Sequence, residues 1–140
     1  MYRNIIEQLK EWKNKEGRKP LILSGARQVG KTYILKRFGE QEFANVAYIN
    51  CDDNELAKNL FMQDYNIQRI ILAIGAITEQ SIEAGKTLII LDEIQESPRG
   101  LSVLKYFCEN APQYHVAVAG SLLGITMHRG ESFPVGKVDI

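Results

Sequence analysis

Apolar residues along the 140-residue chain recur at two periods, and the switching between them lays out the elements. Ile5, Ile6, Leu9 and Trp12 share one helical face, which predicts an amphipathic helix over 5–15 capped by Asn4, with Glu7 three residues on. Gly17 and Pro20 then turn the chain into a first strand, Leu21-Ile22-Leu23. Tyr33 to Phe38 returns to the helical period, with an end expected near Gly39, where glycine takes the left-handed terminal conformation easily. Val46 to Asn50 reads as a second strand, closed by Asp52-Asp53-Asn54, and a short helix is expected around 54–61. Ile67, Ile70, Ile71, Ile74 and Ile77 predict a long helix over 66–84 whose apolar stripe is explained by core packing. Gly85-Lys86 leads into Thr87-Leu88-Ile89-Ile90-Leu91, a continuous apolar run of the kind buried on both faces. Ser97-Pro98 reads as an N-cap followed by proline at the first helical position, and Leu101, Leu104, Phe107 and Cys108 form that helix's buried side up to Pro112. His115 to Ala119 is a fourth strand ending at Gly120-Ser121, and residues 133–140 begin a fifth.

Strands that alternate with helices call for an α/β sandwich with a mostly parallel sheet. Right-handed crossovers put helices on both faces, and ligands bind beyond the carboxyl ends of the strands. The length fits one domain with a real core. Seventeen basic and seventeen acidic side chains cancel, so no global field calls for nucleic acid or an anionic membrane. Their distribution is uneven. Residues 10–37 carry nine basic side chains against Glu11 and Glu16, whereas 40–64 is mainly acidic. The basic stretch reads as a solvated face before it reads as a DNA-binding stripe. Cys51 and Cys108 stand far apart, without a disulfide framework or a metal-site spacing, as suits a reducing cytosol. With polar residues after Met1 and no long apolar run, neither a signal peptide nor a membrane span is expected, and the protein is read as cytoplasmic.

Chemistry enters between the first strand and the second helix. Gly25-Ala26-Arg27-Gln28-Val29-Gly30-Lys31-Thr32 spells G-x-x-x-x-G-K-T in the strand–loop–helix setting of a phosphate-binding loop. Its glycines let the backbone close on an anion, and the amides through Tyr33 at the helix start offer partial positive charge. Lys31 is expected on the β- and γ-phosphates and the Thr32 hydroxyl on Mg²⁺. Arg27 reaches either phosphate or a neighbouring carboxylate; the residues leave both open. The partner motif is Leu88-Ile89-Ile90-Leu91-Asp92-Glu93, which begins 57 positions after Lys31 and brings Asp92 in 61 positions after it. Asp92 would hold Mg²⁺ opposite Thr32, and Glu93 would orient and deprotonate water. No Asn-Lys-x-Asp base-reading motif and no acceptor lid are evident, so the pair favours ATP hydrolysis.

The set "GARQVGKT", "LIILDEIQ" and "VAVAGS" resembles the prokaryotic AAA+ ATPases that join a phosphate-loop domain to a C-terminal domain. The resemblance covers nearly all of 1–140 and implies a three-layer sandwich with strand order 5-1-4-3-2, the fifth strand truncated or incomplete. It also implies a polar sensor at the end of the fourth strand, which falls on Ser121 beside Gly120; a plain cap on the next helix is the alternative. Gln95 is placed either in the same cleft or on the surface. Where such proteins carry Ala-Gly-Arg, this chain has Val135-Gly136-Lys137, and Arg129 is a poor substitute. The family's lid and C-terminal domain would follow Ile140, so the 140 residues are expected to be an N-terminal ATPase core that turns over slowly by itself. Three functions stay in play: an Mg-dependent ATPase, a nucleotide-gated switch or scaffold controlling a protein partner or the absent domain, and a DNA-associated ATPase; beyond nucleotide, a protein partner or self-association is expected. His115 and His128 lack ligand partners at metal spacing and are read as structural; Trp12, Tyr48 and Phe107 are read as core.

Overall fold

A computed structural model describes residues 2–25 and 30–121. In chain order the elements are α1 (Tyr2–Asn14), β1 (Leu21–Gly25), α2 (Lys31–Glu42), β2 (Asn45–Asn50) and α3 (Glu55–Lys58). They continue with α4 (Ile67–Thr78), β3 (Thr87–Asp92), a single 3₁₀ turn (Ile94–Glu96), α5 (Gly100–Asn110) and β4 (His115–Ser121). The four strands pair in parallel in the order β1-β4-β3-β2. That is the predicted order without its fifth strand, whose residues lie outside those described.

Alternation along the strands sorts the side chains into two cores. Leu21, Leu88, Ile90, Ala117 and Ala119 face α1 and α2, where Leu9, Trp12, Ile34, Leu35 and Phe38 cover them. Ile22, Ala47, Ile49, Ile89, Leu91, Val116 and Val118 face the opposite layer of α3, α4 and α5. β3, buried along its whole length, sits between the two cores, as its unbroken apolar run requires.

Several boundaries depart from the sequence expectations, each for a local reason. Asn4 does not cap α1, because the helix already begins at Tyr2. Gly39 does not end α2, which runs on to Glu42. It is there for space: a Cβ at Gly39 would lie 2.5 Å from Val46 Cγ2 and 3.1 Å from Leu88 Cδ2. α3 is one turn, closed at its start by the Asn54 side chain, which accepts from the amides of Leu56 and Ala57. α4 stops at Thr78, where Glu79 turns left-handed (φ 57°) and caps onto Gly75 O. The chain beyond is tied to β2 and β3 instead, with Asn45 Nδ2 donating to Ser81 O and the Thr87 hydroxyl to Asn45 Oδ1. Ser97 does not cap α5, which begins three residues later behind Arg99. Its hydroxyl instead lies 3.1 and 3.0 Å from the carbonyls of Ala57 and Lys58, tying the turn after β3 to α3.

Candidate functional site

The parity of β3 places its last residue on the α2 side of the sheet. Leu88 and Ile90 pack against α2, so Asp92, two residues further, emerges on the same face at the carboxyl end. The first turn of α2 lies there. Its N-terminus is set by Gly30, whose φ of 79° is left-handed and whose missing Cβ leaves open space. The Thr32 hydroxyl donates to Asp92 Oδ2 at 2.5 Å, which joins the two motifs directly. The Lys31 side chain is buried to 8% exposure and its ammonium donates to the carbonyl of Gly120 at the end of β4.

Asp92 is a buried carboxylate, 6% exposed, and burial of such a group demands donors. Three elements supply them. Besides Thr32 from α2, the Tyr48 hydroxyl from β2 donates to Oδ2 at 2.6 Å, and the Glu93 amide donates to Oδ1 at 2.9 Å. Burial first, then the hydrogen bond to Asp92 and its negative charge, raises the Tyr48 phenol well above its usual value, so it stays a donor. Behind the strand, burial together with Asp92 and Glu93 pushes the Cys51 thiol up to about 12, which leaves it inert as a nucleophile.

Glu93 leaves the strand in a left-handed conformation (φ 52°, ψ 49°), uncommon for a residue with a side chain. Beyond that turn Gln95 Nε2 donates to Glu93 Oε1 at 2.8 Å. Gln95 therefore lies beside Glu93, and its own Oε1 is buried without a hydrogen-bond partner.

The predicted residues thus distribute as follows. Lys31, Thr32, Asp92 and Glu93 converge at the carboxyl ends of the strands. Gly25 ends β1 in register with Ser121 on β4, so the backbones of loop start and candidate sensor lie side by side. Tyr33 follows Thr32 on α2 with an exposed side chain. Ala26, Arg27, Gln28 and Val29 lie outside the described residues, as do His128 and Arg129. Sequence reasoning missed Tyr48: it was read as core, and only the pairing of β2 with β3 reveals that its hydroxyl reaches Asp92. Among the described residues no group of three or more His, Cys, Asp or Glu side chains is arranged to hold a metal by itself. A hydroxyl and one carboxylate do suit Mg²⁺, which keeps most of its water and takes few protein ligands beside phosphate oxygens. No helix among the described residues is long and apolar enough to cross a membrane.

The basic stretch is partly engaged within the fold. Lys13 donates to Glu42 O, Arg18 to Pro112 O, and Lys36 lies 3.9 Å above the Tyr48 ring centroid.

Comparison with known proteins agrees with this fold. A family model described as an AAA domain matches residues 17–140. No curated protein gives a significant match. Among solved structures, the Walker-type ATPase PABY2304 of Pyrococcus abyssi aligns with a TM-score of 0.54 at 16% identity, over 99% of this chain and 50% of that one. The Aeropyrum pernix ORC1 protein, solved in complex with DNA, aligns with a TM-score of 0.55 at 16% identity, over 99% of this chain and 43% of its own. The chain therefore spans about half the length of these structures or less, and at this identity they bear on the fold alone.

Proposed function

The chain belongs to the AAA domain family, and we propose that it binds ATP with Mg²⁺ and cleaves the β–γ bond with water, residues 1–140 forming the N-terminal ATPase core. The observation that carries this reading is the 2.5 Å bond from Thr32 to Asp92, which couples the start of α2 to the end of β3. The backbone from Gly25 through Ala26, Arg27, Gln28, Val29, Gly30 and Lys31 to Thr32 and Tyr33 wraps the phosphates. Lys31 exchanges the Gly120 carbonyl for the β- and γ-phosphate oxygens, a swap that keeps the buried ammonium paired throughout. Thr32 and Asp92 hold the metal. When bound, Mg²⁺ supplies charge neutralisation to the phosphate oxygens. Glu93 takes the proton of the attacking water, and Ser121 contacts the γ-phosphate.

Glu93→Gln should leave Mg-ATP binding intact and lower turnover by roughly two to four orders of magnitude. Calorimetric titration with Mg-ATP, Mg-ADP and Mg-GTP, paired with phosphate release, checks both halves. Normal release by the variant would remove Glu93 from its role, and absent nucleotide binding by the wild type would end the reading altogether.

One observation favours a second reading, a nucleotide-gated switch with slow hydrolysis. Gln95 occupies an oxygen of Glu93, so the amide must move aside before that oxygen can meet a water. Single-turnover rates that rise when a protein partner is added would support the switch.

A further inference from the structure

Two strands and one helix meet on a single oxygen atom. Asp92 Oδ2 receives the Thr32 hydroxyl at 2.5 Å and the Tyr48 hydroxyl at 2.6 Å. Tyr48 reaches it because β2 and β3 are parallel and in register: Tyr48 pairs with Ile90, and Asp92 follows two residues later on the same face. The phenol is in turn held from above. Lys36, four residues after Thr32 and so on the same side of α2, places its ammonium 3.9 Å from the Tyr48 ring centroid. A cation over the ring draws electron density from it and makes the hydroxyl a better donor. Thr32, Asp92, Tyr48 and Lys36 therefore form a closed circuit between the start of α2 and the ends of the two strands.

We infer that Tyr48 is a positioning residue for the metal: its hydroxyl fixes the rotamer of Asp92 and fills one side of Oδ2, so that the carboxylate meets Mg²⁺ already oriented. The inference rests on the phosphate-site reading above and adds a residue to it. The physical need is clear. A carboxylate offers about four acceptor positions, and one held only by Thr32 and the Glu93 amide is more loosely set about its last torsion. Mg²⁺ tolerates little departure from octahedral geometry, so each wrong orientation of Asp92 subtracts from its affinity. With Oδ2 bridged by two hydroxyls and Oδ1 bonded to the Glu93 amide, the plane of the carboxylate is set before any metal arrives. A phenol in a half-buried site suits this task, since it donates one directed bond and adds no charge.

The test is a split between metal-dependent and metal-independent binding. ADP is titrated calorimetrically into the wild type and into Tyr48→Phe, with EDTA and across a range of Mg²⁺ concentrations. Phenylalanine keeps the ring under Lys36, so ADP affinity in EDTA should stay within about twofold, while the Mg²⁺ needed for half-maximal enhancement rises about 10- to 100-fold, the usual cost of removing an outer partner of a metal ligand. In an Asp92→Asn background, Tyr48→Phe should add nothing further. An unchanged Mg²⁺ requirement, or an equal loss in both backgrounds, overturns the inference. Wild-type protein that binds no ADP under either condition overturns the phosphate-site reading itself and the role of Tyr48 with it. If Tyr48→Phe fails to fold, Lys36→Met serves instead: a two- to threefold rise in the Mg²⁺ requirement supports the circuit, and no rise sinks it.

Discussion

Two ionisable groups are buried equally deeply at opposite ends of the same sheet, and their surroundings could hardly differ more. Asp92 closes β3 at the carboxyl end and His115 opens β4 at the amino end, each 6% exposed. Donors from α2, β2 and the following turn converge on Asp92. His115 instead sits among rings, with Trp12 at 5.7 Å and Phe43 at 5.0 Å between centroids. Its Nε2 faces Lys13 O at 3.3 Å, and its Nδ1 has no hydrogen-bond partner. Burial, with the positive charge of Arg18 added, lowers His115 to about 4, so it is neutral in the fold. One end surrounds its buried group with donors; the other keeps its ring neutral and packs it among aromatic side chains. Burial of a titratable group is thus no mark of a site, whereas convergence of donors from separate elements is.

The comparison makes its largest demand at the polar end. Lys31→Ala should bring Mg-ATP binding below calorimetric detection. The fold should hold, because the lost charge-assisted bond to Gly120 O is worth about 1.5–3 kcal/mol, a part of which is offset by no longer burying the ammonium. Retained nucleotide affinity would mean that convergence at the carboxyl end serves packing alone, and the contrast with His115 would vanish.

How much of this was legible depends on whether the information lay in neighbouring residues. The apolar run of β3 and the meeting of Thr32 with Asp92 could be read, because strand parity and the glycine-to-helix pattern are local. The strand order could be anticipated as well, but only through the family resemblance; the alternating elements gave no more than a mostly parallel sheet. Tyr48 could not. It stands 44 residues before Asp92, on a strand whose alternation makes it look like core, and its hydroxyl has meaning only once β2 lies beside β3. Ser97 misled for the opposite reason: Ser-Pro is a sound local signal for a helix start, but the α3 carbonyls claimed the hydroxyl. Gly39 carried a true signal with two meanings. Glycine ends helices and also lets them approach a sheet, and only the packing against Val46 and Leu88 decides between these.

Gly39 supplies the intermediate test, because it seats α2 against the amino-terminal starts of β2 and β3. Gly39→Ala gains up to about 1 kcal/mol of helix propensity but forces a methyl within 2.5 Å of Val46 Cγ2, a short, stiff side chain. Overpacking of this kind costs about 1–3 kcal/mol, so a net loss of up to about 2 kcal/mol is expected in urea unfolding, with Mg-ATP affinity untouched. A variant as stable as the wild type would show that Val46 yields; a variant with weakened nucleotide binding would show that the two ends are coupled, which the contrast between them denies.

The smallest effect belongs to His115, and its sign follows from the lowered pKa. In the unfolded chain the imidazole titrates near its ordinary 6.5, whereas in the fold it resists protonation until about 4. Between those values the unfolded state binds the extra proton, so the stability gained by keeping His115 neutral is complete above 6.5 and drains away as pH falls towards 4. With these two values the loss between pH 7 and pH 5.5 comes to about 1 kcal/mol. His115→Gln keeps a donor that can reach Lys13 O but cannot titrate. Urea unfolding at the two pH values, for wild type and variant, isolates the histidine from the carboxylates, whose contribution is common to both. The wild type should lose more stability on acidification than the variant. Equal losses would mean that the aromatic pocket admits the proton freely, and that the amino end of the sheet is no more hostile to charge than the end that holds Asp92.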